Sequence, residues 1–132
     1  MQNKETKVVS EFLTAVQTGD MATVGALLHP EVKWQQPGSG EISGMKHSAR
    51  EVFQMVTGMF EISANTLKLQ EIKWVSANGS SVAALLRWTA TKPSGMSFDV
   101  DNIDVYTVSE GKITAVTIYS SDITAEDSFW QK

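Results

Sequence analysis

Apolar residues recur at helical spacing in the first part of the chain and alternate with polar ones in the second. Val8, Val9, Phe12, Leu13 and Val16 predict a first helix, with Asn3 as N-cap and Gly19 just past its end. Asp20 can then cap a second helix that turns Met21, Val24, Leu27 and Leu28 inward, with Pro30 ending it. The stretch "VKWQQPGSGEISG" reads as one short strand and a Pro/Gly loop. Ser48 and Glu51 form an S-x-x-E signature ahead of a third helix. Val52, Val56, Met59 and Phe60 give that helix its buried stripe, with Met55 close by.

From Thr66 the pattern becomes that of strands. Asn78-Gly79 is a hairpin signal, and Lys92-Pro93-Ser94-Gly95 and Ser109-Glu110-Gly111 mark two further turns. Between them, "SVAALLRWTAT", "SFDVDNIDVYTV" and "KITAVTIYSS" predict long antiparallel strands in meander order. Helices first and a sheet second is an α+β layout. Both faces of the last strands are largely apolar. One face would pack on the helices, and the other asks for a second subunit, so a homodimer through the sheet is expected. The tail from Ile123 to Lys132 is short, with Phe129 and Trp130 available for packing.

Composition narrows the class. The chain has 132 residues, which fits one domain over 1–132, and 42% of them are apolar, too many for a disordered chain. The net charge is −4 and the 11 basic residues are scattered, which argues against nucleic acid and against an acidic membrane surface. There is no cysteine, so no disulfide framework, thiol nucleophile or thiolate metal site. The polar start "MQNKETKVV" lacks the apolar run of a signal peptide, and no window is apolar enough for a membrane span. A soluble, cytoplasmic protein is the expectation.

One residue stands against its surroundings. Asp104 lies between Ile103 and Val105 in an apolar strand, on the face that also carries Val100, Asn102 and Tyr106. A three-residue turn at 109–111 would set Asp104 opposite Val116 and Asn102 opposite Ile118, on an aliphatic floor. A two-residue turn would instead put Thr117 beside Asp104 and give it a hydroxyl partner. A carboxylate on an aliphatic floor often neutralises. On the other face, folding about Ser94 places Arg87 opposite Asp101, and Arg87, Asp99 and Asp101 read as structural.

Several phrases, in this order and spacing, carry a resemblance: "FLTAVQTGDMATVGALLHPEVKW", "ISG", "NIDVYTVSEGKI" and "VTIYSSD", spanning about Val8 to Asp122. The chain resembles the nuclear transport factor 2-like superfamily, which includes the ketosteroid isomerases and the SnoaL-like polyketide cyclases. The resemblance implies a cone-shaped, strongly curved antiparallel sheet wrapped around three N-terminal helices, a deep pocket, and dimers through the sheet. It is similar to the isomerases in "NIDV", where they hold an aspartic acid neutral beside a tyrosine while a second aspartate moves the proton. Asp104 falls on the neutral acid. The tyrosine position falls on Phe12, and the base position on Trp34 or Gln35, none of which can serve. Steroid isomerisation by that dyad-plus-base mechanism is therefore rejected. The epoxide hydrolases of the superfamily need an Asp-Arg-Asp cluster, and the register above turns Arg87 away from Asp104.

What remains is a greasy hollow with one acid. Phe12, Trp34, Met55, Met59, Phe60, Leu86, Trp88, Val100, Val116 and Ile118 would wall it, with Gln36, Asn102 and Tyr106 as polar contacts and Asp104 as the catalytic acid or hydrogen-bond donor. The expected partner is a small hydrophobic molecule carrying a carbonyl or hydroxyl, with isomerisation, cyclisation or dehydration as the chemistry. A non-catalytic binding or dimerisation module is the alternative. His29 reads as a cap of last-turn carbonyls, His47 as a solvent-facing neighbour of a cap, and Asp122 as a surface turn residue. The histidines follow no metal-ligand spacing, and no nucleotide or nucleophile-elbow motif is present, so neither metal nor cofactor is expected.

Overall fold

The computed structural model describes residues 3–131. The predicted helices form as α1 (Lys4–Thr18), α2 (Met21–Leu27) and α3 (Ala49–Ile62). Their caps follow the local rules. Asn3 accepts from the Thr6 amide, Gly19 turns left-handed at φ 75°, and Asp20 accepts from Thr23. Ser48 accepts from the Glu51 amide, but Glu51 reaches back to the His47 amide at 2.6 Å, one residue before the cap itself. Met21 at the start of α2 is exposed rather than inward. Pro30 does not end α2; it lies two residues inside the strand that follows.

The strands are β1 (Leu28–Gln36), β2 (Gly44–Lys46), β3 (Lys68–Asn78), β4 (Ser81–Thr91), β5 (Ser97–Ser109) and β6 (Lys112–Ser120). They form one curled, unclosed sheet in the order β2-β1-β6-β5-β4-β3. The fold is α+β as expected, with two corrections. The sheet is mixed, because β1 pairs with β6 in parallel, a contact between strands far apart in sequence. A fourth helix, α4 (Ile123–Phe129), follows the sheet, capped by Asp122 through the Ala125 amide. Of the tail assigned in the sequence, Lys132 lies outside the described residues.

The β5–β6 hairpin decides which side chains meet Asp104. Ser109 pairs with Lys112 around a two-residue turn, Glu110-Gly111, both residues with positive φ. Without further change Thr117 would face Asp104. A β-bulge at Thr114 absorbs one residue, since Val108 pairs with Ile113 and Thr107 with Ala115. Asp104 therefore lies opposite Ile118, Asn102 opposite Ser120, and Tyr106 opposite Val116. Neither register drawn from the sequence holds, but the aliphatic floor does.

Along β5 every even-numbered side chain from Phe98 to Val108 is buried, and the odd-numbered ones are at least partly exposed. The inner face of β4 contributes Val82, Ala84, Leu86 and Ala90. Helix α1 lies against β3 and β4 and brings Val9, Phe12 and Leu13 into the same core. On the outer face Arg87 is opposite Asp101 as expected, yet its guanidinium takes the diagonal Asp99 at 2.7 and 2.9 Å, while Lys73 takes Asp101.

Candidate functional site

Between the sheet and the helices lies a cavity of about 370 Å³, within the range that takes a drug-sized molecule. Its walls are mostly apolar. Phe12 comes from α1, Trp34 from β1, Met55, Met59 and Phe60 from α3, Trp88 from β4, and Ile118 from β6. The polar residues assigned from the sequence, Gln36, Asn102, Asp104 and Tyr106, line it too. Three expected wall residues do not. Leu86 is fully buried in the core where α1 lies against β3 and β4. Val116 is covered between Tyr106 and Trp34, its neighbours on β5 and β1. Val100, paired with Trp88, is buried beside the cavity without lining it.

Strand geometry arranges the polar groups. Residues two apart on a strand share a face, so Tyr106 reaches Asp104, and its hydroxyl donates to Oδ2 at 2.8 Å. Likewise the Trp34 indole donates to Gln36 Oε1 at 3.0 Å. Phe12 packs edge-on against Tyr106, with centroids 5.9 Å apart. The hydroxyl that residue 12 on α1 lacks is thus present beside Asp104, carried instead by a residue of β5. Oδ1 of Asp104 is buried without a hydrogen-bond partner. Burial pushes the Asp104 carboxyl up to about 7, against the pull of the Tyr106 hydrogen bond and with a further push from the negative charge of Glu126. Tyr106 is itself driven well above the usual phenol range by burial and by that carboxylate.

Glu126 and Trp130 are cavity residues that sequence reasoning missed. Glu126 is 4% exposed. Burial raises its carboxyl, Asp127 and Asp122 raise it further, and hydrogen bonds from Ser120 and Asn102 pull it down. Its Oε2, the Asn102 Oδ1 and the Trp130 indole N–H have no hydrogen-bond partner. Helix α4 is held in place by aromatic packing: Phe129 lies 5.0 Å from Phe98 and 4.8 Å from Trp130, ring centre to ring centre. A polar tie adds to this, since the Asp127 carboxylate accepts from the amide and hydroxyl of Ser39 in the loop after β1. The available signal was spacing. Glu126, Phe129 and Trp130 lie three and four residues apart, on one helical face.

The remaining candidates take ordinary roles. His29 accepts from the Glu31 amide through Nδ1 instead of capping a carbonyl. His47 is exposed. Asp122 is the α4 cap described above. Among the described residues no three His, Asp or Glu side chains gather as metal ligands. Among them, too, no helix is long and apolar enough to cross a membrane.

Comparison with known proteins places this architecture. The chain is similar to a protein of unknown function with a cystatin-like fold from Xanthomonas campestris: 32% identity, 97% of this chain and 98% of that one covered, TM-score 0.92. It is also similar in fold to an NTF2-like protein of unknown function from Burkholderia pseudomallei, at 20% identity, 91% and 92% coverage and TM-score 0.81. TerC, co-crystallized with polyporic acid, is a third, at 14% identity, 98% and 100% coverage and TM-score 0.84. No curated protein matches the chain. Residues 9–116 match the SnoaL-like domain. The chain belongs to the SnoaL-like domain family, within the nuclear transport factor 2-like superfamily.

Proposed function

We propose that the cavity binds a small, flat, hydrophobic compound bearing a carbonyl or hydroxyl, with Asp104 as its acid or hydrogen-bond donor. One observation carries the reading. Asp104 is buried in an apolar hollow with one oxygen held by Tyr106 and the other unpartnered. A carboxyl in that setting favours its neutral form, and a neutral carboxyl can donate. Donation to a ligand oxygen stabilises charge that develops there, as in isomerisation, cyclisation or dehydration. TerC, which is similar in fold, has been co-crystallized with polyporic acid. Fluorescence titration with 2-naphthol tests the reading. Wild-type protein should bind it, Asp104→Asn should retain binding as a neutral donor, and Asp104→Leu should lose it. Absence of binding to the wild type refutes the proposal.

A second reading rests on the outer face of the sheet. Trp74, Leu85, Ile103 and Tyr119 occupy directly paired positions across β3, β4, β5 and β6. Three of them, Trp74, Ile103 and Tyr119, are 41%, 38% and 57% exposed. An apolar row of this kind supports a homodimer through the sheet.

A further inference from the structure

We infer that Asn102, Glu126 and Trp130 form a second polar subsite in the cavity, one that takes a primary carboxamide carried by the same hydrophobic ligand that meets Asp104. The inference rests on the ligand-site reading above and adds to it a second group that the ligand must bear. Positions 126 and 130 lie beyond the residues that match the family domain, so that pattern assigns them no role.

The three side chains adjoin. Asn102 stands two residues before Asp104 on the inner face of β5, about 7 Å along the strand. Its side chain hydrogen-bonds Glu126. Glu126 and Trp130 are one turn apart on the last helix, where the Trp130 amide donates to the Glu126 carbonyl at 3.0 Å. All three residues line the cavity, and they are 6%, 4% and 2% exposed. Each buries one polar atom that has no hydrogen-bond partner: Asn102 Oδ1, Glu126 Oε2 and the Trp130 indole Nε1. Folded chains pair nearly all such atoms, because burial strips them of water and nothing else compensates. Three of them on one stretch of cavity wall mark a place where a ligand supplies the bonds.

Counting donors and acceptors identifies the group. The indole N–H can only donate, and the Asn102 oxygen can only accept. Glu126 receives hydrogen bonds from Ser120 and Asn102, which favour the ionised carboxylate, so Oε2 accepts as well. The matching group must therefore offer two hydrogens and one acceptor. A hydroxyl has a single hydrogen and leaves one oxygen unmet. An ammonium has no acceptor for the indole. A carboxylate has no hydrogen and meets the charge of Glu126. A primary carboxamide fits all three: its carbonyl accepts from Trp130, and its two N–H bonds point to Asn102 and Glu126.

The test compares fluorescence titrations of wild-type protein with 2-naphthol, 6-hydroxy-2-naphthamide, its N,N-dimethyl amide and 6-hydroxy-2-naphthoate. The four share a ring and a hydroxyl and differ at the group offered to the subsite. The primary amide should bind about tenfold or more tightly than 2-naphthol, since a site built of unpaired polar groups discriminates strongly for the ligand that pairs them. The dimethyl amide, which keeps the carbonyl but has no N–H, and the carboxylate should bind no better than 2-naphthol. Trp130→Phe removes the donor, and should lower the ratio of amide to 2-naphthol affinity severalfold; because this ratio is taken within one protein, general damage to the cavity divides out. Equal affinity of wild type for 2-naphthol and the primary amide overturns the subsite and means that the three atoms serve ordered water only. A carboxylate or dimethyl amide that binds as tightly as the primary amide overturns it too, and so does an unchanged ratio in Trp130→Phe. Should that variant not fold, the four-ligand series on wild type decides by itself. A wild type that binds none of the four fails the ligand-site reading, and this inference with it.

Discussion

Tyr106 and Asp104 stand two residues apart on β5, and the phenol donates to the carboxyl across 2.8 Å inside an apolar cavity. Burial raises the proton affinity of both groups, and the bond between them pulls that of Asp104 back down while raising that of Tyr106 further.

Asp104 should make stability fall as pH rises. Its carboxyl titrates at about 7 in the folded chain against 3.8 for the free group. Below the lower value both states are protonated. Between the two values the unfolded chain gives up a proton that the folded chain keeps, so folding is progressively disfavoured, with a limiting slope of about 1.4 kcal/mol per pH unit. Above the upper value the loss is complete. Urea unfolding of wild type and Asp104→Asn at several pH values should give a difference that declines across this window. The lowered Asp20 and Asp99 carboxyls act with the opposite sign but are common to both proteins and cancel. A pH-independent difference would contradict the assignment.

Tyr106→Phe removes the donor and leaves both Asp104 oxygens unpartnered. Since the phenol pulls the Asp104 carboxyl down, its loss should move the titration midpoint above about 7. The lost hydrogen bond should cost about 1–3 kcal/mol of stability. Carbon-13 NMR of the Asp104 carboxyl reads the first effect and urea unfolding the second; a midpoint that stays put or drops would count against the pair.

Phe129→Ala should loosen α4. The ring is 1% exposed, wedged between Phe98 and Trp130, and Lys92 Nζ lies 5.6 Å from its centre. Truncating a buried phenylalanine costs about 3–5 kcal/mol. Hydrogen exchange should show faster opening of α4 than of β5, and the site should lose Glu126 before it loses Asp104. Equal protection of both elements would show that α4 is held by other means.

Ile103→Lys places a charge in the middle of the apolar row formed with Trp74, Leu85 and Tyr119. Sedimentation velocity should show wild-type dimers and mutant monomers with unchanged circular dichroism. A monomeric wild type removes the sheet-mediated dimer.

Much of this was legible where the controlling forces are local. Asn3, Asp20 and Ser48 cap helices because a side-chain oxygen three residues upstream satisfies a free amide. A turn at Ser109-Glu110-Gly111 was marked by Gly111, which takes positive φ without steric cost; that Glu110 takes it too, and so shortens the turn to two residues, was left open. The inner face of β5 followed from alternation alone. Relations set by distant partners were not legible. The parallel β1–β6 contact joins segments about eighty residues apart. Arg87 prefers the diagonal Asp99 because a long side chain need not obey the backbone register. Glu126 was overlooked because a charged residue in a short terminal segment ordinarily faces water, and only the anchoring of Phe129 and Trp130 draws it inside.

The extra residue at Thr114 gives strand β6 some slack. A relative one residue shorter at this point would regain strict alternation while still presenting Val116 and Ile118 inward, so the chemistry beside Asp104 would survive. What it would forfeit is the local bend that a bulge imposes. Length variation here is therefore a way for such chains to reshape the hollow without rewriting its lining.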